Sequence, residues 1–338
     1  MKFNKLKHLL LFGGGNTLLQ TAISCKKNNL DIAVFTSSRH ADEIILAELS
    51  LAQHCENENL PIFITDDINV CEELNTYDLS NSLGIGFGEA WSFNKDLIEK
   101  FQGKLFDLMG IRLPRYRGGA HYTWQILRQN KIGACFLQEI NEFMIQGEFD
   151  NGEILKSKQY FFPKSVRIPK DYFDAAQEQE ITYIQEFIDE LTQGKEFIKH
   201  DLPEHFSMYF PRLHTINQGL INWNWDTKDI EHFICAFDEP YAGASTQLNG
   251  EKVHLKSVSS DNEDGPFHPF QFGLIYKIFN GSAFIATKSG AIIVDQILNQ
   301  YKENIILNLK HGMRLFTPND WLENAMLYSP NYTPTGLK

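Results

Sequence analysis

The chain carries carboxylate, imidazole and guanidinium groups of the types that transfer protons and bind anions in enzymes. Asp107 and Asp150 lie in two separate glycine-containing segments, and two carboxylates that share one site titrate as a pair. His121 is the imidazole nearest in sequence to Asp107, and imidazoles are common proton carriers in enzymes. Arg115 and Arg117 carry groups that can bind phosphate or carboxylate. These residue types indicate proton transfer next to an anionic substrate.

The two segments also match a known pattern in their order and spacing. They read Lys104-Leu-Phe-Asp107-Leu-Met109-Gly-Ile-Arg-Leu-Pro114-Arg-Tyr-Arg-Gly118 and Gly147-Glu-Phe-Asp150-Asn-Gly152-Glu-Ile154-Leu. Together they resemble the active-site signature of the folate-dependent formyltransferases, a family that includes methionyl-tRNA formyltransferase and sugar-nucleotide N-formyltransferases. Members usually carry Asn-x-His-x-Ser-Leu-Leu-Pro, an aromatic residue followed by Arg-Gly, and later Asp-x-Gly-x-Ile. The C-terminal half is similar to the family as well, in Gly219-Leu-Ile221-Asn-Trp223 and Pro240-Tyr-Ala-Gly243-Ala.

The resemblance assigns three catalytic positions, of which two are altered. The family's Asn, which holds the formyl oxygen, falls on Asp107, and its His falls on Met109. The family's Asp, which supports the proton relay, falls on Asp150, although Asp-Asn-Gly is also an ordinary turn sequence. The resemblance therefore implies the formyltransferase scaffold with a divergent catalytic site.

The altered residues change the expected chemistry. An ionised Asp107 only accepts hydrogen bonds and would repel an oxyanion, so it serves only if it is protonated or acts as a base. Met109 cannot carry a proton, which favours a packing role. His121 could restore an imidazole to the site, or it could be a helix-terminal residue without a catalytic role.

The resemblance also implies where ligands bind. The donor would be N10-formyltetrahydrofolate, with the backbone of the glycine loop at Gly84, Gly86, Phe87 and Gly88 lying against its ring system. From residue type and position alone, Arg39 could meet a substrate phosphate or sugar or lie in a solvated loop, and Arg115 and Arg117 could bind phosphate or carboxylate. The family arginine that corresponds to Arg117 often looks structural. No metal site is expected, because the five cysteines are odd in number and show no C-x-x-C spacing.

Alternating strand and helix patterns predict an α/β, Rossmann-like domain over residues 1–204 with a parallel-rich sheet. Among its elements we expect helices over 41–56 and 70–77. Short apolar runs separated by turn residues, including two Asn-Gly pairs, then predict a smaller β-barrel-like, OB-like domain over residues 205–338.

Composition narrows the classes of function. The 338 residues carry a formal net charge of −12, which disfavours a nucleic-acid partner and favours a small-molecule substrate such as an amino-sugar nucleotide. The chain has no apolar run of the ~20 residues that a membrane span needs, and no signal peptide pattern. We therefore expect a cytoplasmic protein without membrane contact, and homodimer formation is open.

Three functions remain compatible with the sequence. The first is N-formyl or related acyl transfer to an amino group of a sugar nucleotide by a divergent site. The second is a catalytically inactive homologue with a binding or regulatory role. The third is an altered acyl transfer or hydrolysis in which Asp107 and Asp150 act as a carboxylate pair.

Overall fold

The computed structural model describes residues 3, 6–142, 151–330, 332–333 and 336–337. The chain forms two compact units. The first consists of Met1–Arg117, Ile132–Phe161 and Ala175–Tyr209. The second consists of Gly118–Lys131, Phe162–Asp174 and Phe210–Lys338. The domain assignment made from the sequence, with its change after residue 204, stays a prediction.

The described residues contain both helices and strands in each unit. The α-helices are α1 (Gly15–Lys27), α2 (Ser38–Ala41), α3 (Leu51–Asn57), α4 (Lys95–Lys100), α5 (His121–Leu127), α6 (Pro169–Thr192), α7 (Thr215–Gln218), α8 (Thr227–Ala236) and α9 (Asn319–Leu327). The strands are β1 (His8–Gly13), β2 (Ile32–Thr36), β3 (Ile44–Leu46), β4 (Leu49–Ser50), β5 (Ile62–Ile64), β6 (Ser82–Phe87), β7 (Leu105–Met109), β8 (Arg117–Gly118), β9 (Ile132–Glu139), β10 (Ile154–Phe161), β11 (Tyr209–Phe210), β12 (Ala244–Leu248), β13 (Glu251–Asp261), β14 (Ile275–Phe279), β15 (Ser282–Thr287), β16 (Gly290–Leu298), β17 (Leu315–Phe316), β18 (Tyr332–Thr333) and β19 (Gly336–Leu337).

The first unit is built on a seven-stranded sheet in the order β10-β9-β7-β6-β1-β2-β5. Strands β7, β6, β1, β2 and β5 run parallel, whereas β9 and β10 are antiparallel to their neighbours. Central parallel strands are covered on both faces, and this accounts for the continuous apolar run of β1. The predicted α/β class with a parallel-rich sheet is confirmed.

Aromatic side chains fill the core on one face of this sheet. Phe12 at the centre of the cluster is fully buried and stacks on Phe35 with ring centroids 5.5 Å apart. Phe93 and Phe101 meet the same ring edge-on, at 5.3 and 6.1 Å. Rings in these arrangements add to the stability gained from burial alone. The cluster packs β1 against β2 and against helix α4.

The second unit contains a six-stranded sheet in the order β14-β15-β16-β13-β12-β17, in which every pair is antiparallel. The two Asn-Gly pairs form its hairpin turns, because both residues of Asn249-Gly250 and of Asn280-Gly281 have positive φ. Helix α8 packs on this sheet, and its Thr227 hydroxyl lies 2.8 Å from that of Thr287. The predicted β-rich C-terminal half is confirmed.

Two predicted helices are wrong in extent or in type. The pattern over 41–56 is interrupted by the hairpin of β3 and β4, where Ala47 and Glu48 have positive φ. A reciprocal capping box between Ser50 and Gln53 then starts α3. The predicted helix over 70–77 is a series of 3₁₀ turns, which begins where the Asp67 side chain accepts a hydrogen bond from the Asn69 amide. Local capping outweighs apolar spacing in both segments.

The five cysteines are free and buried. Within the part of the chain that the structure describes, no helix is long and apolar enough to cross a membrane. In the same part, no group of three or more His, Cys, Asp or Glu side chains is arranged to hold a metal ion.

Replacing Phe12 by alanine should lower the free energy of unfolding by about 3–5 kcal/mol, because it empties the centre of the aromatic cluster. The matched control is Phe161→Ala in β10, where the ring is 79% exposed and the expected change is about 0.5 kcal/mol or less. Denaturant unfolding of both variants measures the difference. Equal midpoints for the two variants would contradict the assigned core.

Candidate active site

The carboxyl ends of three neighbouring parallel strands, β1, β6 and β7, meet at one edge of the sheet in the first unit. In open α/β sheets this edge is where ligands bind. Asp107 lies on β7 directly opposite Gly86 of β6, so the sheet places the carboxylate beside the glycine loop. The geometry of the site follows from what occupies the space next to Gly86.

Glu89 and Asp107 fill the space that a side chain at Gly86 would take. A methyl group built on Gly86 would lie 2.6 Å from Oε2 of Glu89 and 3.1 Å from Oδ1 of Asp107. Because both oxygens approach the same point, the two carboxyl groups are neighbours. A side chain at position 86 would have to displace the Glu89 carboxyl group from its present place.

Glu89 is shielded from solvent at its Oε2 atom, for which the described residues provide no hydrogen-bond partner. Burial raises the pKa of Glu89 to about 7, against a smaller opposing effect of its own backbone amide. Burial disfavours the charged form of a carboxyl group, and a second carboxyl nearby acts in the same direction. Near neutral pH a substantial fraction of Glu89 therefore keeps its proton.

A third carboxyl group, that of Glu180 on α6, lies at the end of β7. Its Oε1 atom is 2.0 Å from the point where a methyl on Gly110 would be, so Gly110 makes room for it. The Thr17 hydroxyl of α1 donates to Oε2 at 3.3 Å. Burial raises the pKa of Glu180 to about 7, and the Thr17 hydrogen bond partly opposes this rise. Two partly buried carboxyl groups with raised pKa thus lie at this edge.

Asp150 lies outside the described residues, but the glycine of its motif is fixed close by. Gln138 of β9 is opposite Asp107 in register, and its Nε2 atom donates to the Gly152 carbonyl at 3.0 Å. A methyl on Gly152 would be 1.8 Å from the Glu139 carbonyl oxygen, so only glycine fits there. The motif's glycine is therefore held against the strand next to Asp107. The catalytic role of Asp150 stays a prediction.

Met109 and His121 occupy different surroundings. Met109 packs against the apolar cluster that contains Phe136 and Ile154, which confirms its expected packing role. His121 begins α5 after Ala120, whose φ is +52°, and it belongs to the second unit. Its predicted place beside Asp107 stays a prediction.

The glycine loop of β6 divides into an inner and an outer part. Gly84 is buried, and a methyl group built on it would lie only 2.5 Å from Cδ1 of Leu105. Its predicted contact with folate stays a prediction. Phe87 is buried as well. Gly88 is exposed, has φ of +63° and has open space where a side chain would be. Of the residues predicted to contact folate, Gly88 presents accessible backbone, and Gly86 faces the carboxyl groups.

The arginines predicted to bind substrate have protein neighbours of their own. Arg117 donates to the Glu204 carboxylate at 2.6 and 2.7 Å, and Arg115 lies over the Phe206 ring at 4.3 Å. Arg39 is exposed on α2 with its Nη2 atom 2.9 Å from Nε2 of His40. Burial, and secondly Arg39, lower the pKa of His40. Arg117 thus has a structural ion pair, and Arg39 is the most accessible of the three.

Glu89 and Glu180 are candidate site residues that the sequence interpretation missed. Glu89 follows Gly88 at the end of a strand adjacent to the Asp107 strand, and strand order would have pointed to it. Glu180 lies four residues from both Ala176 and Ile184, which are buried on the apolar face of α6. A charged residue within an apolar stripe was the available signal.

The amino-acid sequence matches known proteins in its C-terminal half and beyond. Residues 215–308 match the family model described as formyl transferase, C-terminal domain. Methionyl-tRNA formyltransferase of Desulfotalea psychrophila is 26% identical over 199 residues, which are 58% of this chain and 57% of that protein. The matched part thus spans little more than half of that relative's length.

The fold matches solved structures over most of the chain. The sugar 3N-formyl transferase WlaRD, crystallised in the presence of dTDP and 5-N-formyl-THF, has a TM-score of 0.63 at 18% identity and covers 88% of this chain and 99% of its own. The N-formyltransferase of Helicobacter canadensis, in complex with folinic acid and dTDP-3-aminofucose, has a TM-score of 0.64 at 17% identity and covers 86% and 99%. The resemblance to the formyltransferases is confirmed.

Replacing Glu89 by glutamine should remove a pH-dependent loss of stability. Because the pKa of Glu89 is raised to about 7 in the folded protein, the buried group contributes fully at low pH and loses its contribution as the pH rises through 7. Glu89→Gln should therefore gain up to about 3 kcal/mol over the wild type between pH 5 and pH 8. Urea unfolding across this range measures the gain. The exposed Glu323→Gln is the control, and equal pH slopes for both variants would contradict the burial of Glu89.

Proposed function

We propose that this protein, which has the fold and the C-terminal domain of the formyltransferase family, transfers a formyl group from N10-formyltetrahydrofolate to an amino group of a sugar nucleotide. The observation that carries the proposal is the match to two sugar N-formyltransferases over 99% of their chains. One of these structures was determined in the presence of dTDP and 5-N-formyl-THF, and the other in complex with folinic acid and dTDP-3-aminofucose. The cytoplasmic location, the homodimer and the domain boundary after residue 204 are part of the proposal.

A small acceptor is favoured over tRNA by charge. The net charge of −12 opposes a polyanion, whose binding depends on neutralising many phosphates. A sugar nucleotide carries two phosphates and needs few cations. Arg39, exposed on α2 beside the edge where β1 and β2 end, suits that requirement.

The donor fits the residues at the end of β6. Bound there, the folate would supply an activated formyl group on nitrogen. Gly88 offers exposed backbone with no side chain in the way, which permits the close approach of a flat ring. Gly86 leaves room for two carboxyl groups behind that surface. The chain would thus bind the donor with backbone and present acid–base groups to it.

The chemistry of transfer sets demands on the chain's own residues. The acceptor amine must be neutral, a group must take up its proton, and donors must stabilise the charge on the formyl oxygen. Asp107 can take up a proton, whereas Met109 can do neither task. We therefore expect a slow enzyme that lacks one oxyanion donor, a loss that typically costs about 100- to 1000-fold in rate.

The test is a formyl-transfer assay with a panel of amino-sugar nucleotides, followed by mass spectrometry of the product. We expect slow transfer by the wild type. Asp107→Asn combined with Met109→His restores the family's residues and should raise the rate by about 100-fold or more. The same nucleotides with a hydroxyl in place of the amine are the control and should accept no formyl group.

Two outcomes would contradict what is expected here. Fast wild-type turnover that survives His121→Ala would contradict the expected slow rate, while leaving formyl transfer itself in place. Absence of transfer by both the wild type and the double variant, with every acceptor, would instead favour a binding role for the protein.

A further inference from the structure

We propose that the second unit binds a small organic cation, a protonated or quaternary amine with an apolar body, in an aromatic pocket between helices α5 and α8. The pocket has a volume of about 340 Å³, which lies in the range of small-molecule sites. Four of the side chains that line it are the aromatic rings of Trp124, Trp225, Phe233 and Phe237. All of the lining residues belong to the second unit, so the inference does not rest on the formyl transfer proposed for the first.

Contacts between two packed helices hold the walls of the pocket in place. The Thr123 hydroxyl of α5 donates to the Ala236 carbonyl of α8 at 3.1 Å. The indole N–H of Trp124 donates to the Pro211 carbonyl at 2.8 Å, and this bond fixes the orientation of the ring. Phe237, which follows α8 directly, is almost completely buried. The pocket is therefore formed before a ligand arrives, which lowers the entropic cost of binding.

Neighbouring rings of the pocket are steeply inclined to one another. The ring centroids of Trp225 and Phe233 lie 5.0 Å apart with the planes at 64°, and those of Phe233 and Phe237 lie 4.9 Å apart at 52°. Rings inclined in this way form a curved wall instead of a flat stack. Trp225 keeps 36% of its surface exposed, so this wall is open to a ligand. The faces of aromatic rings attract a cation, and they do so most strongly where water is excluded.

The charges at the pocket favour a positive occupant. Among the described residues that line it, Asp229 in the first turn of α8 is the one with a formal charge, and no described lysine or arginine forms an ion pair with it. Burial lowers the pKa of His232, the lining imidazole, so the ring is neutral at pH 7. The cations that act on His232, Lys228 and Arg167, are both paired with Glu231. A carboxylate beside an aromatic wall attracts an amine cation and repels an anion.

Choline and its uncharged isostere 3,3-dimethylbutan-1-ol test the charge of the ligand, because the two probes have the same shape. Choline should shift the indole N–H signal of Trp225 in NMR spectra of the full chain, and the isostere should bind at least about 3-fold more weakly. Raising the ionic strength should weaken the binding of choline. Equal binding of the two probes would overturn the proposal. So would a Trp225 signal that shifts with protein concentration and not with choline, because a second copy of the chain would then cover the pocket.

Variants separate the ring from the carboxylate, with the Trp124 indole signal as the readout. Trp225→Leu keeps an apolar side chain but removes the ring, so it should weaken choline binding by about 2- to 30-fold, whereas Trp225→Phe should retain most of it. Asp229→Asn should weaken choline binding by about 2- to 5-fold. The matched control is Asp320→Asn, which removes an exposed carboxylate from the first turn of α9 and should leave the affinity unchanged. Unchanged choline affinity in both Trp225→Leu and Asp229→Asn would overturn the assigned site.

Discussion

The burial of carboxyl groups at the carboxyl edge of the parallel sheet is the constraint that shapes this site. Moving a charge out of water is costly unless it is paired or neutralised by a proton. Glu89 and Glu180 are both partly buried, and burial raises the pKa of each to about 7. Near neutral pH each of these two carboxyl groups is therefore partly protonated. A general acid or base works best when its pKa lies close to the working pH.

Glycines make this arrangement possible, and each does so by leaving out a side chain. A carboxyl oxygen lies where a methyl would be at Gly86 and at Gly110, and a carbonyl oxygen takes that place at Gly152. All three follow or flank the strands that carry Asp107 and its neighbour Gln138. The hydrogen bonds of the sheet fix these backbones, and the aromatic cluster around Phe12 packs against one face of the sheet. The close approach of these oxygens to the three glycines therefore depends on a rigidly packed core.

The sequence was sufficient for the fold and for part of the site. Apolar runs of the parallel strands and the Asn-Gly turns of the second unit are local signals, and both were interpreted correctly. The segments 41–56 and 70–77 failed because side-chain caps at Ser50 and Asp67 override apolar periodicity. Asp107 was found through its motif, whereas Glu89 belongs to no motif. Its place beside Asp107 follows from strand order and from the missing side chain at Gly86, which become visible only in three dimensions.

The cost of the buried carboxyl groups bears on whether this chain is an enzyme or an inactive relative. Carboxyl groups whose pKa is raised by burial lower the stability of the folded protein as the pH rises. A protein that only binds a ligand gains nothing from such groups. Neutral replacements such as glutamine would fit the same space, and most proteins can be stabilised by such changes where function does not oppose them. Asp107 adds a further acid where the family has a neutral amide, directly beside one that is already buried. Two acids whose oxygens both lie within 3.1 Å of the space beside Gly86 agree with the proposed transfer, which needs a group that takes up a proton.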